Sequence, residues 1–157
     1  MKTIILSFAA GLLIVACNQN PGVYSDTENE KQVLLSEDSV RDGAFIHISH
    51  GYDDPHRVLM ALKMAAVMAD DKDVIVYMDI HAVELLVNGA KDLEFSDFES
   101  FQTYLKLLVN KGTGVYACPT CLKIAGFNSE DLMKGIQVAQ KDKFFNFTKG
   151  RIITLDY

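Results

Sequence analysis

Two short stretches, Ala44-Phe45-Ile46-His47-Ile48 and Val74-Ile75-Val76-Tyr77-Met78, are almost continuously apolar, and the segment between them has helical spacing. That combination constrains the fold more than any other feature of the chain. A strand that is apolar on both faces must be covered on both faces, which is the situation of a strand inside a parallel sheet. Parallel neighbours need a crossover of a dozen or more residues. Here Pro55 can open a crossover helix whose Val58, Leu59, Leu62, Ala65, Ala66 and Ala69 fall on one face. Val115-Tyr116-Ala117 and Ile152-Ile153-Thr154-Leu155 read as two further strands. Strands alternating with helices predict an α/β fold, a three-layer α/β/α sandwich on a mainly parallel sheet with right-handed crossovers.

The remaining periodic segments fill in that plan. Ile80 to Asn88 reads as a short helix closed by Gly89, a residue suited to a left-handed cap. Asp97 to Asn110 is the clearest amphipathic helix, with Phe98, Phe101, Tyr104, Leu105, Leu108 and Val109 inward. Asn128 or Ser129 caps a last helix, with Glu130 and Asp131 placed favourably in its first turn. The crossover helix also carries a second apolar stripe, Met60, Met64, Val67 and Met68. One stripe covers the sheet, so the other predicts either a subunit interface in a homo-oligomer or deep burial within the domain.

Before the first strand the chain changes character. Lys2 precedes an apolar run from Ile4 to Val15, which is too short to span a bilayer as a helix and reads as an export signal. The run ends in Ile14-Val15-Ala16-Cys17, which resembles the lipobox of bacterial lipoproteins. The resemblance implies cleavage before Cys17 and a diacylglyceryl group on its sulfur, and two or more acyl chains give durable anchoring. The segment that follows is rich in Asn, Gln, Ser, Asp and Glu, has no apolar period and cannot bury enough surface to fold. The expected organisation is a signal peptide at 1–16, a lipidated tether at 17–42 and one α/β domain at 43–157, held at the cell envelope on its periplasmic or extracellular face.

With 15 Lys plus Arg against 21 Asp plus Glu and no dense basic cluster, the chain is not expected to bind nucleic acid, and Lys141 to Arg151 reads as a solvated loop. Once Cys17 is taken by lipid, Cys118 and Cys121 are the only thiols, in an oxidising compartment. Cys118-Pro119-Thr120-Cys121 follows a strand and opens a helix, where free N–H groups and the helix dipole stabilise a thiolate. A disulfide across so short a loop constrains the unfolded chain little, so a purely structural bridge is a poor explanation. Inert, packed thiols are the alternative. One CxxC without a nearby histidine pair is too little for a zinc site, and neither metal nor cofactor is expected.

Ligands of an open parallel sheet gather at the carboxyl ends of its strands. Three such ends carry polar residues: His50 with Asp53 and Asp54, then Asp79 and His81, then the cysteine pair. They could converge, or they could be solvated loops and helix caps. His47, inside the first strand, reads as a satisfied core histidine.

Tyr116-Ala117-Cys118 continuing through Gly126, then Glu130-Asp131-Leu132, Gly135-Ile136 and Ala139, with the His50-Gly51 loop and a closing strand before Tyr157, resembles the DsrE/DsrF/TusD-type family from about Gly43 onward. The resemblance implies an α/β sandwich that assembles into oligomers and passes sulfur as a cysteine persulfide, with Cys118 as the carrier. Two departures matter. Export makes tRNA thiolation implausible, and Cys121 permits disulfide formation or resolution of a persulfide. The expected function is an envelope-anchored sulfur carrier or sulfurtransferase using Cys118, Cys121 and His50. The alternatives are a thiol-disulfide redox protein or a non-catalytic binding module. A thioredoxin is disfavoured because the chain has no Trp and its CxxC lies late.

The lipobox yields the first prediction. Mass spectrometry of the protein from membranes should find a chain beginning at acylated Cys17, and Cys17→Ser should release the protein; an unacylated or uncleaved end would refute the assignment.

Overall fold

The two apolar runs form the paired centre of the sheet. In the computed structural model, which describes residues 40–157, β1 (Gly43–Ile48) and β2 (Asp73–Met78) lie parallel with His47 opposite Tyr77. The expected signal peptide and Cys17 lie outside the described residues. β3 (Gly114–Ala117) pairs with β2, β4 (Ile136–Val138) with β3, and β5 (Ile152–Asp156) with the free edge of β1. All pairs are parallel, in the order β4-β3-β2-β1-β5. The α/β class and the parallel sheet are as the sequence predicts.

The chain steps from β1 to β4 in one direction across the sheet, then crosses back to β5. α1 (Pro55–Met68), α2 (Phe101–Asn110) and α3 (Pro119–Ile124) belong to the outward steps, and α4 (Lys141–Phe145) to the return. Side-chain alternation sorts the two faces. Ala44, Ile46, Ile48, Val74, Val76, Met78, Val115 and Ala117 share one core with Val58 and Leu62 of α1 and Tyr104 and Leu108 of α2. Phe45, Tyr77 and Tyr116 project from the other face, where the Phe144 ring of α4 stands 5.7, 5.1 and 5.9 Å from theirs. The described residues therefore form three layers, and among them the second helical layer is a single helix of five residues.

Local chemistry fixes most boundaries. The Asp54 carboxylate accepts from the Arg57 N–H at 3.1 Å and Pro55 occupies the first turn, so α1 starts where the sequence places it. α2 starts at Phe101 rather than Asp97, because residues 95 to 98 form a turn with Ser96 at φ +49° and Ser100 caps the helix through Thr103 N–H. The helix expected after Ile80 is a 3-10 segment, Ala82–Leu86, with Gly89 beyond it at φ +82°.

The last helix expected from Asn128 is replaced by a single 3-10 turn, Ser129–Asp131, and the strand β4. Leu132 turns extended and bridges Val87, Met133 N–H donates to the Leu86 carbonyl at 2.9 Å, and this tertiary pairing overrides a good helix-start signal. Lys141 to Phe145, expected as loop, is helical because Phe144 finds the aromatic face of the sheet. Arg41 and Asp42, assigned to the tether, are fastened to the domain: Arg41 donates to the carbonyls of Asp71 and Lys72, and Asp42 pairs with Arg151.

The second stripe of α1 is not core. Met60 and Val67 are exposed, Met64 and Met68 half-buried, and Ile152 and Ile153 of the edge strand β5 are also exposed. Among the described residues no helix is long and apolar enough to cross a membrane.

Ile46 is fully buried at the centre of β1 and is among the largest fully buried side chains. Ile46→Ala should lower the unfolding free energy by about 2–5 kcal/mol in urea titrations. Ile124→Ala, at a side chain 80% exposed, should change it by less than about 0.5 kcal/mol. Equal effects would contradict the assigned core.

Candidate functional site

β3 ends at Ala117, and Cys118 continues its ladder for one more step, donating its N–H to the Met78 carbonyl at 2.9 Å. Pro119 then starts α3, because it needs no N–H partner and its fixed φ suits a first helical position. Cys118 is left as the N-cap, and its sulfur accepts the Cys121 N–H at 3.4 Å. Both cysteines are free thiols and half-buried.

The environment separates the two sulfurs. Burial pushes the Cys118 thiol up, but hydrogen bonds from the Tyr77 hydroxyl, the Cys121 thiol and the N–H groups of Cys121 and Thr120 outweigh it, and the pKa falls below the ordinary value of 9.0. Cys121 moves the opposite way. Burial and the donation of its S–H to Cys118 push it up, and the charges of Cys118 and Asp79 add to that, against one opposing hydrogen bond from Ile80 N–H. Tyr77 is raised too, by burial and by its role as donor to Cys118. Of the two sulfurs, Cys118 is thus the more readily ionised.

Register explains which residues surround them. His47 lies opposite both Tyr77 and Asp156, Tyr77 opposite Tyr116, and Tyr116 opposite Gln137, forming one transverse row on the α4 face of the sheet. Two residues further along, on the same face, Asp79 follows Tyr77 and Cys118 follows Tyr116. The His47 ring stacks on Tyr77 with centroids 5.6 Å apart. Its Nδ1 lies 2.6 Å from an Asp156 oxygen and its Nε2 lies 3.0 Å from Asp79 Oδ1. His47 is therefore not a core histidine as expected, because an odd position in β1 points to the thinly covered face.

The other candidates separate. His50 Nδ1 lies 2.7 Å from Asp53 Oδ2, and among the described residues no hydrogen bond or ion pair links His50 to either cysteine. Asp53 is held at about 2, first by the Gly51 N–H and then by His50, so it stays ionised at any ordinary pH. Asp54 is the α1 cap, and His81 is exposed, 3.9 Å from Glu84. Asp79, one of the residues read as a possible cap, instead faces His47. Tyr77 and Asp156 were not singled out in the sequence. Counting in twos back from Cys118 and across one strand would have reached Tyr77, but only with the register known. Among the described residues no group of three or more His, Cys, Asp or Glu side chains is arranged to hold a metal ion. Asp79 and Asp156 approach opposite nitrogens of the one ring, so they do not close on a common centre.

Comparison with known proteins bears on this arrangement. The model of the DsrE/DsrF-like family matches residues 43–154. Among solved structures, the ychN protein from E. coli is 16% identical with a TM-score of 0.56, over 74% of this chain and 99% of that one. A protein of unknown function from Methanobacterium thermoautotrophicum, MTH1491, is 20% identical with a TM-score of 0.51, over 73% of this chain and 99% of that one. These likenesses carry the fold. The curated proteins offer no match.

The split between the thiols is measurable. Alkylation followed by peptide mass spectrometry should label Cys118 at a lower pH than Cys121, and Tyr77→Phe, which removes a donor to the thiolate, should move the Cys118 midpoint upward. Equal midpoints, or no movement in Tyr77→Phe, would contradict the geometry.

Proposed function

The chain belongs to the DsrE/DsrF-like family, and from that premise we propose that it is a sulfur-relay protein carrying sulfane sulfur as a persulfide on Cys118, anchored at the cell envelope by lipid on Cys17. The observation that carries this reading is the position of the Cys118 sulfur as the cap of a strand-to-helix junction, where it accepts the Cys121 N–H at 3.4 Å. Such donors stabilise the thiolate, and thiolate is the nucleophile toward a sulfane donor. The Cys118 thiolate attacks the outer sulfur of a donor persulfide, the donor leaves as its own thiolate, and Cys118 holds the transferred sulfur.

Cys121 serves as the resolving thiol. His50, held by Asp53 at the same edge of the sheet, belongs to the proposal as a residue that meets the incoming donor. The exposed Met60 and Val67 of α1 give the domain a face for self-association, and a homo-oligomer is part of the reading. A second reading, a thiol-disulfide redox protein, is favoured by one specific contact: the Cys121 N–H donates to the Cys118 sulfur at 3.4 Å, which sets the two cysteines side by side at the start of α3.

Incubating the reduced protein with polysulfide and weighing it intact separates the two. A gain of one or more sulfur atoms that requires Cys118 and persists in Cys121→Ser is the expected result. Clean formation of a Cys118–Cys121 disulfide with no adduct in Cys121→Ser would move the assignment to redox chemistry.

A further inference from the structure

α2 carries more apolar surface than the sheet covers. Phe101, Tyr104, Leu105 and Leu108 are buried, but Val109, read from the sequence as inward, is only half-buried. Gln102, Leu105, Lys106 and Val109 stand at i, i+3, i+4 and i+7, so they share one side of the helix. Opposite that side runs the turn that enters β4. Its Met133 N–H donates to the Leu86 carbonyl at 2.9 Å, and its Ile136 N–H returns to the Met133 carbonyl at 3.1 Å, which fixes the turn in place. Gly135 lies in the turn at φ +93°, and a Cβ there would stand 2.6 Å from Val109 Cγ1, so glycine lets the turn close on the helix. Between helix and turn lies a groove of about 590 Å³, within the size range of small-molecule sites. Leu105, Val109 and Met133 give it an apolar lining, and its charged residues are Lys106 on the helix and Lys134 on the turn. Both lysines are exposed, and among the described residues neither side chain has a hydrogen-bond or ion-pair partner. No carboxylate lines the groove, on a chain whose Asp and Glu outnumber Lys and Arg by 21 to 15.

We propose that this groove binds a free fatty acid, with the alkyl chain lying along α2 and the carboxylate held by Lys106 and Lys134. Charge complementarity selects the head group: each wall supplies one unpaired ammonium, and the lining supplies no acid to oppose an anion. The apolar lining, extended by the methylene stems of the two lysines, selects the chain. From Gln102 to Asn110 the groove follows α2 for about 12 Å at 1.5 Å per residue, the reach of a medium-length alkyl chain. The turn is held by backbone hydrogen bonds and the opposite wall is a helix, so the walls are formed before the ligand arrives and little ordering opposes binding. The site is separate from the cysteine pair. Asn110 ends α2 ahead of β3 and Gly135 immediately precedes β4, which puts the groove at the amino edge of the sheet, whereas Cys118 follows β3 at the carboxyl edge.

The test uses the full chain carrying Cys17→Ser, so that no acyl chain of its own competes, photolabelled with a diazirine-bearing dodecanoate and mapped by peptide mass spectrometry. Label should fall on the peptides that hold α2 and Met133 to Gly135; label confined to other peptides would overturn the proposal. Competition by unlabelled octanoate, decanoate and dodecanoate should strengthen about fourfold for each methylene buried. Dodecanol, which has the chain without the charge, should compete about tenfold less well than dodecanoate. Lys106→Gln combined with Lys134→Gln should bring dodecanoate down to the level of dodecanol and leave dodecanol unchanged. Equal competition by acid and alcohol in the parent, or parental labelling and competition in the lysine variant, would overturn the proposal. Val109→Glu, which puts a carboxylate into the apolar lining, should abolish labelling of the groove. If in sedimentation it turns an oligomeric parent into monomers, the groove is an interface between copies and the proposal falls. Parental alkylation of Cys118 shows that each variant is folded, and the exposed lysines keep the test available should Val109→Glu not fold.

Discussion

The parallel register of β1, β2 and β3 is the constraint on which the rest of the structure depends. Each of these strands gives alternate residues to a dry core and the others to the α4 face, so a slip of one residue would exchange the two sets completely. Val76 and Met78 would then leave the core, and Tyr77 and Asp79 would be driven into it. Fully burying such aliphatic side chains is worth about 1.5–3 kcal/mol each, and several would be lost at once. Hydrophobic burial on the thick side of the sheet therefore fixes where polar groups stand on the thin side. Tyr77, Asp79, His47 and Cys118 owe their neighbourhood to residues that never touch chemistry.

The unequal layers follow from the path of the chain. Three outward steps place α1, α2 and α3, while among the described residues the single return places only the helix α4 on the opposite face. Phe144 packs edge-on against Tyr77 and Tyr116, which shields the aromatic part of the row and leaves its end near the cysteines open. Tyr77 serves two layers at once. Its ring is part of the aromatic cluster and its hydroxyl reaches Cys118. Partial burial strengthens that hydrogen bond but also opposes the thiolate, and at Cys118 the assembled donors win whereas at Cys121, with one opposing N–H and two nearby negative charges, burial wins.

The loops at the carboxyl edge are held by close backbone packing. A Cβ on Gly51 would stand 2.6 Å from the His81 carbonyl oxygen, so only glycine lets the loop after β1 approach the loop after β2 this closely. His81 N–H donates to the Ser49 carbonyl, and Ser49 N–H to that of Tyr157, extending the ladder past the ends of three strands. Ile80 sits at the join in a left-handed conformation, at a cost of about 1–3 kcal/mol for such backbone strain. The surrounding backbone packing imposes this conformation.

The sequence by itself determined the elements whose physics is local. Apolar runs made β1 and β2, helical spacing and Pro55 made α1, and the Cys118-Pro119 junction made a capped sulfur, because each follows from a few consecutive residues. The resemblance to the DsrE family, carried by Tyr116 through Gly126 and by Glu130-Asp131-Leu132, holds, although the latter segment is a 3-10 turn followed by extended chain and not the helix expected. Tertiary structure decided the rest. β4 has only three residues, too few for a readable alternation, and the helix signal at Asn128 gave way to pairing with Val87. α4 formed over an aromatic face that does not exist until the sheet is assembled. His47 looked like core because a strand's sequence does not say which face will be thickly covered, and its meeting with Asp79 and Asp156 joins residues up to 109 positions apart through strand register. Register is a property of neighbouring strands, set by the burial of the whole sheet, and no single segment contains it.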